Sequence, residues 1–224
     1  QEMRSIDPDM PITVLTRDPK ATRLTYRVQT AGRMDILRWK KAMRHAALYI
    51  NGGGSLIQDA TSTKSLMYYL GLIRLAKMCG AKVMIYANGV GPVSGKLNRA
   101  AAKNTLSKAD YITLRENDSL GELKAMGVNV PKTEVTADPA LGLMPDASGR
   151  DEAKRLFGEK TPIAFSVREW RTLGTNGKNE IADCIKRLKE DGFAPFMLPM
   201  QYSKDCKICS EIAEAAGVSV LRDE

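Results

Sequence analysis

Short apolar runs alternate along the chain with longer segments whose apolar residues recur every three or four positions. Residues 11–16 (PITVLT), 47–50, 82–87 (KVMIYA), 110–114 (DYITL) and 134–137 read as strands from their length and their branched apolar side chains. Helical spacing marks 34–44, through Ile36, Leu37, Trp39 and Met43, and 62–79, through Leu66, Tyr69, Leu70, Ile73 and Ala76. Two further helices are predicted over 95–107 and 117–126. Ser62 suits an N-cap, and Gly80 and Gly127 stand where a left-handed residue would close a helix. After 144–149 (MPDASG), which reads as a linker, the alternation resumes with strand 162–167, helix 179–189, strand 194–199, helix 204–216 and strand 218–221.

Alternation of this kind predicts an α/β chain whose parallel sheets carry helices on both faces, in two domains, 1–144 and 145–224. Ligands of such sheets lie beyond the carboxyl ends of the strands. Gly52, Gly53 and Gly54, the loop opened by Asn88, and Arg115 all fall there, so the active crevice is expected among them. The second unit shows about three strands, fewer than the roughly four to six of an ordinary sheet. The first opens on a strand with little before it. Together these features predict an internal piece of a larger two-domain protein.

Composition narrows the class of partner. An apolar fraction of 43% can form a core, and no run is long enough to span a membrane. Gln1 is not followed by a signal peptide pattern. The formal charge of +8 suits an anionic substrate, nucleic acid or an acidic membrane surface. The basic residues, however, are spread through the helices and not interleaved with aromatics, so nucleic acid is not expected as a partner. A solvated basic surface with weak peripheral membrane attraction is the reading retained. Cys206 and Cys209 form a C-x-x-C inside a helical pattern, and His45 is the single histidine, so no metal site is expected. Four cysteines without a staple pattern favour a reducing cytoplasm.

The glycine run, followed by Ser55, is not G-x-G-x-x-G, and Lys96 lies outside any P-loop spacing. A nucleophile elbow and a Ser-His-Asp triad are also missing. Bare backbone at a helix start can gather N–H groups around a phosphate, a carboxylate or a sugar hydroxyl; it can equally make a tight turn. Gln58 and Asp59 follow. With Ser62 as the cap, Asp59 is free to act as a base or to accept from a sugar hydroxyl. Arg115 and Arg168 each follow a strand, where a planar guanidinium suits a carboxylate or phosphate held between two domains. For Arg115 a local ion pair with Glu116 or Asp118 is the alternative.

Six blocks then carry a resemblance: GGGSLIQDATSTKSLMYYLGLIRLAK, VMIYANGVGP, ITLRENDS, VTADPAL, IAFSVREW and FMLPMQYSKD. In this order they resemble the polysaccharide pyruvyltransferase family, closest to the bacterial type that modifies the cell-wall polymer anchoring S-layer proteins. The resemblance implies two Rossmann-like domains of GT-B architecture, the second incomplete here. It also implies an N-terminal strand, loop and helix, and a C-terminal part with an essential histidine, that this chain lacks. The implied reaction transfers pyruvate from phosphoenolpyruvate to a sugar, N-acetylmannosamine on a lipid-linked precursor, as a cyclic ketal. Phosphoenolpyruvate is then the donor substrate and no cofactor is needed. Arg115 matches a family arginine that holds the donor, and Arg168 is a second clamp. Gly52 to Ser55 supply N–H and hydroxyl donors, and Asp59 a carboxylate for acceptor hydroxyls. Asn88 stands where relatives often carry Gln, and Gln201 reaches either ligand. The general acid would lie in the C-terminal part. A nucleotide-sugar glycosyltransferase of the same fold, and a sugar-polymer binding module without catalysis, are the competing readings.

Overall fold

The structure is a computed structural model describing residues 2–130, 132–144, 147–170 and 173–221. The chain divides into two compact units, Gln1–Leu143 and Met144–Glu224.

In the first unit a short helix α1 (Glu2–Ile6) precedes β1 (Thr13–Thr16), α2 (Pro19–Tyr26), β2 (Gln29–Gly32) and α3 (Ile36–His45). Then come β3 (Leu48–Gly52), α4 (Thr63–Met78), β4 (Lys82–Asn88), α5 (Lys96–Leu106), β5 (Tyr111–Leu114), α6 (Asn117–Met126) and β6 (Thr133–Val135). Strands β1 and β2 pair in parallel as their own two-stranded sheet, and β3-β4-β5-β6 form a parallel sheet in sequence order. Crossover helices α4, α5 and α6 follow β3, β4 and β5. That consecutive order sets α3 beside α4, α4 beside α5 and α5 beside α6, while α2 packs on β1 and β2.

The local reasons are ordinary ones. Ser62 caps α4 by accepting from the Ser65 N–H at 3.1 Å. Leu66, Leu70, Ile73 and Ala76 then bury one stripe against the sheet. Gly80, at φ +87°, ends the helix in a conformation that few other residues adopt without strain. Strand β4 buries Val83, Ile85 and Ala87 on one face, while Met84 and Tyr86 on the other are half-buried. Ile57, Leu66, Ile73, Val83, Ile85, Leu106, Ile112 and Leu114 are among the fully enclosed side chains of this core.

The second unit contains α7 (Ala147–Phe157), β7 (Pro162–Phe165), α8 (Gly174–Glu190), β8 (Ala194–Met197) and α9 (Tyr202–Ala216). Strands β7 and β8 pair in parallel. Met197, Ile185, Ile208, Cys209, Ile212 and Ala213 form its own core. Both cysteines of the C-x-x-C lie on α9, Cys209 inside this core and Cys206 half-buried.

Several expectations need correction. Ala147, Ser148 and Gly149, read as linker, open α7, whose basic and apolar residues alternate at helical spacing. Pro145 and Asp146, the rest of that linker and the start of the second domain as read from sequence, lie outside the described residues. Residues 218–221 contribute an isolated bridge from Val220 to Met197 in place of a strand. Helix α8 begins five residues earlier than the apolar spacing indicated. Strand β2 and helix α2 were not anticipated at all.

Candidate functional site

The carboxyl ends of β3, β4 and β5 converge on one cluster. Gly52 is the last residue of β3, in register with Tyr86, so the turn proper starts at Gly53. Gly53 and Gly54 have φ of +82° and +71°, which only glycine adopts freely. The Gly53 N–H is turned back to the Tyr86 carbonyl at 3.4 Å, and the Gly54 carbonyl accepts from the Gly89 N–H at 3.2 Å. The expected gathering of amides is thus partly spent on stitching two loops together.

Arg115, directly after β5, extends over this junction. Its Nη2 donates to Ser55 Oγ at 2.7 Å and its Nη1 to Asp138 Oδ2 at 3.1 Å. Glu116 Oε1 stands 3.8 Å from its Nε. Only a quarter of the Arg115 side chain is exposed. Glu116 is oriented from below: the buried Ser119 hydroxyl donates to its Oε1 at 3.1 Å and accepts from the Val90 N–H at 2.7 Å. Asp138 is steadied by the Ala140 N–H at 3.0 Å. A Cβ on Gly89 would lie 2.7 Å from Ser55 Oγ, 2.9 Å from Glu116 Oε1 and 3.0 Å from Arg115 Nη2. The centre of the cluster is therefore a patch of bare backbone ringed by a hydroxyl, a carboxylate and a guanidinium.

The other residues singled out from sequence sit differently. Gln58 is bonded to Thr61, donating to its hydroxyl at 2.8 Å and accepting from its N–H at 3.2 Å, and so shapes the approach to α4. Asp59 Oδ2 accepts from the Ser94 N–H at 2.8 Å and from Asn98 at 2.7 Å, tying the loop after β3 to the start of α5. The expectation that Ser62 frees Asp59 holds for the helix cap only, because this oxygen is engaged elsewhere. Asn88 is fully buried, not at an open crevice; its Nδ2 donates to the carbonyls of Asn51 at 2.8 Å and Tyr86 at 3.1 Å. Among the described residues, Asn88 Oδ1 and Asn51 Nδ2 are buried without a partner. Next to them Ala87 holds φ at +46°, an unusual conformation for a residue with a Cβ, and its N–H bonds Thr113 Oγ1 at 2.7 Å.

In the second unit Arg168 follows β7 and forms a two-pronged pair with Asp205, Nε to Oδ1 at 2.8 Å and Nη2 to Oδ2 at 2.9 Å. Asp205 is buried in the first turn of α9 and also accepts from the Gln201 N–H at 2.8 Å. The Arg168 guanidinium and this amide hold the Asp205 carboxyl down at about 2. Gln201 Oε1 lies 3.4 Å from Arg168 Nη2. Arg168 is thus first a brace between β7 and α9, with 54% of its side chain left exposed.

Sequence reasoning missed Gly89, Asp138 and Asp205. Asp138 could have been found by the rule that selected Arg115, since it follows a strand at the same end of the sheet. Gly89 and Asp205 carry no sequence signal for what surrounds them. Also missed were Arg17 and Arg33, directly after β1 and β2, which line an open surface depression of about 810 Å³ with Gly32, Met34 and Asp35.

The polar cluster lies at the carboxyl ends of the strands, the place where ligands of parallel-sheet α/β folds bind. The chain belongs to the polysaccharide pyruvyl transferase family, a transferase family whose model matches residues 1–221. No curated protein matches it. Solved structures of Anabaena Alr3699/HepE are similar in fold. The complex with UDP and glucose shows 10% identity and a TM-score of 0.56, over 90% of this chain and 58% of that one. The complex with UDP-glucose shows 11% and 0.51, over 91% and 58%; that with UDP 11% and 0.52, over 90% and 57%. The chain therefore spans less than two thirds of the length of those proteins. The α/β class, with parallel sheets resembling the GT-B architecture, agrees with the sequence reading. Among the described residues no helix is long and apolar enough to cross a membrane.

Proposed function

We propose that the protein carrying this chain transfers pyruvate from phosphoenolpyruvate to a sugar of a cell-wall polysaccharide precursor, N-acetylmannosamine being the sugar to test first. The observation that supports this most is Arg115, held by Ser55 and Asp138 over the bare backbone of Gly89. The donor carries a carboxylate and a phosphate, and the guanidinium offers either one a planar pair of donors. One sugar hydroxyl adds to C2 of the donor as C3 gains a proton. A second hydroxyl then displaces phosphate and closes the ketal. In this scheme Arg115 neutralises donor charge, with Ser55 and the Gly52–Gly54 backbone beside it. Asp59 holds the loop in place through Oδ2 and presents its other oxygen to an acceptor hydroxyl. Gln58 and Asn88 shape the loop from beneath. Arg168 and Gln201 form an exposed anion-facing pair in the second unit. The donor acts as substrate without a cofactor, and the acceptor is a lipid-linked or polymeric sugar. The setting is the cytoplasm, with weak contact to the anionic membrane surface through the +8 charge.

The test is incubation of the full-length protein with phosphoenolpyruvate and N-acetylmannosamine acceptors, read by mass spectrometry and phosphate release. Ketal product that disappears in Arg115→Ala supports the reading; a variant with near-normal turnover removes Arg115 from it. A second reading follows from the UDP and UDP-glucose complexes of HepE, in which this protein uses a nucleotide sugar. Consumption of UDP-glucose in the same incubation, with phosphoenolpyruvate untouched, would replace the first reading by the second.

A further inference from the structure

Strands β1 and β2 pair in parallel with Thr16 opposite Gly32, so the residues that follow, Arg17 and Arg33, leave the sheet side by side. Both line an open surface depression of about 810 Å³ together with Gly32, Met34 and Asp35. The pairing of strands in this unit is interrupted here: β2 ends one sheet and β3 begins another. Ligands of parallel sheets bind beyond the carboxyl ends of the strands, where both arginines stand.

Two of the lining side chains are arginines and one is an aspartate. Arg33 packs its guanidinium 5.2 Å from the centre of the Tyr68 ring, and the Tyr68 hydroxyl donates to the Arg33 carbonyl at 3.4 Å. Tyr68 in turn meets Trp39 edge to face, and the Trp39 indole donates to the Gly32 carbonyl at 2.7 Å. The base of Arg33 is therefore fixed by an aromatic cluster, with the charge held beside the depression. The acidic group of the lining, Asp35, is already engaged: Oδ1 accepts from the Arg38 N–H at 3.0 Å and Oδ2 pairs with Arg38 Nε at 3.1 Å. Asp18, next to Arg17, caps α2 by accepting from the Ala21 N–H at 2.9 Å.

We propose that Arg17 and Arg33 form a second anion site, separate from the Arg115 cluster, that binds a phosphate-bearing ligand. Two sources share that chemistry: the phosphate of a small acid such as phosphoenolpyruvate, or a diphosphate that joins a sugar to a lipid. The placement of the two arginines stands apart from the pyruvyl-transfer reading, whereas the two ligands named for them rest on that reading.

The experiment is calorimetric titration of the protein with inorganic phosphate, phosphoenolpyruvate and inorganic pyrophosphate at low salt. Wild type, Arg17→Ala, Arg33→Lys and Arg115→Ala are compared. Arg17→Ala is the decisive variant, because Arg17 is exposed and its loss leaves the Tyr68 cluster intact, while Arg33→Lys keeps the charge but not the planar fork. Saturable binding that weakens about tenfold or more in Arg17→Ala and in Arg33→Lys, yet survives in Arg115→Ala, is the result expected. The tighter of phosphoenolpyruvate and pyrophosphate names the source. No saturable binding, equal binding by all four proteins, or loss confined to Arg115→Ala would overturn the proposal. Since no turnover is read, a failure here is distinct from a failure to form ketal.

Discussion

At Gly89 a methyl group would meet three polar atoms at 3.0 Å or less, and each is the far end of a movable side chain. Gly89→Ala should therefore cost little stability, since Ser55, Glu116 and Arg115 can swing aside. The same movement displaces Arg115 by a fraction of an ångström to an ångström, and misplacement of that order costs about a hundredfold in rate. We expect a melting temperature within a few degrees of wild type and turnover lowered about tenfold to a hundredfold, read by phosphate release. Unchanged turnover would show that the cluster does not handle substrate. The residue scale also marks what was legible. Arg115 could be chosen from sequence because it follows a strand. Its partner Ser55 is 60 positions away, and no spacing rule reports a bond that only the sheet creates.

Among the elements, α4 illustrates how fully a helix can be read in advance. Its apolar spacing, its Ser62 cap and its Gly80 stop all appear where local chemistry puts them. Removing the cap in Ser62→Ala leaves the Ser65 N–H to water and should cost about 1 kcal/mol, measured as a lower urea midpoint at unchanged slope. A shift indistinguishable from zero would mean the first turn is held by the Asn98–Thr63 contact and not by its cap. Strand β2 was illegible for an equally local reason. Its sequence QTAG has neither branched apolar residues nor alternation, and it becomes a strand because β1 offers it a ladder and Ala31 a buried place. With β2 unseen, Arg33 could not be recognised as a strand-end residue.

At the scale of the whole molecule, each unit holds, among the described residues, a carboxyl shifted well below its ordinary range. Asp110 is held at about 2 by Lys77, by the Val83 N–H and by Lys82, and Asp205 at about 2 by Arg168 and the Gln201 N–H. Both values lie below the ordinary 3.8 of an unfolded chain, so this stabilisation is complete above pH ~4 and is lost as pH falls from there toward 2. The urea midpoint should drop across that window, and Asp110→Asn with Asp205→Asn should flatten the drop; parallel curves would refute the linkage. The net charge of +8 adds a second expectation: anion binding that weakens steadily with salt, because exposed arginines are screened beyond a Debye length of about 8–10 Å. By itself the sequence determined the α/β alternation, most helix ends, the glycine turns and the arginine after β5, all set by interactions within a few residues of one another. Only the tertiary structure decided that Asp59 is a brace, that Asn88 is buried, that Arg168 is paired with Asp205, and that Arg17 and Arg33 line one depression. Those outcomes depend on groups brought together from distant parts of the chain, and a carboxylate or guanidinium carries no mark of which neighbour the fold will give it.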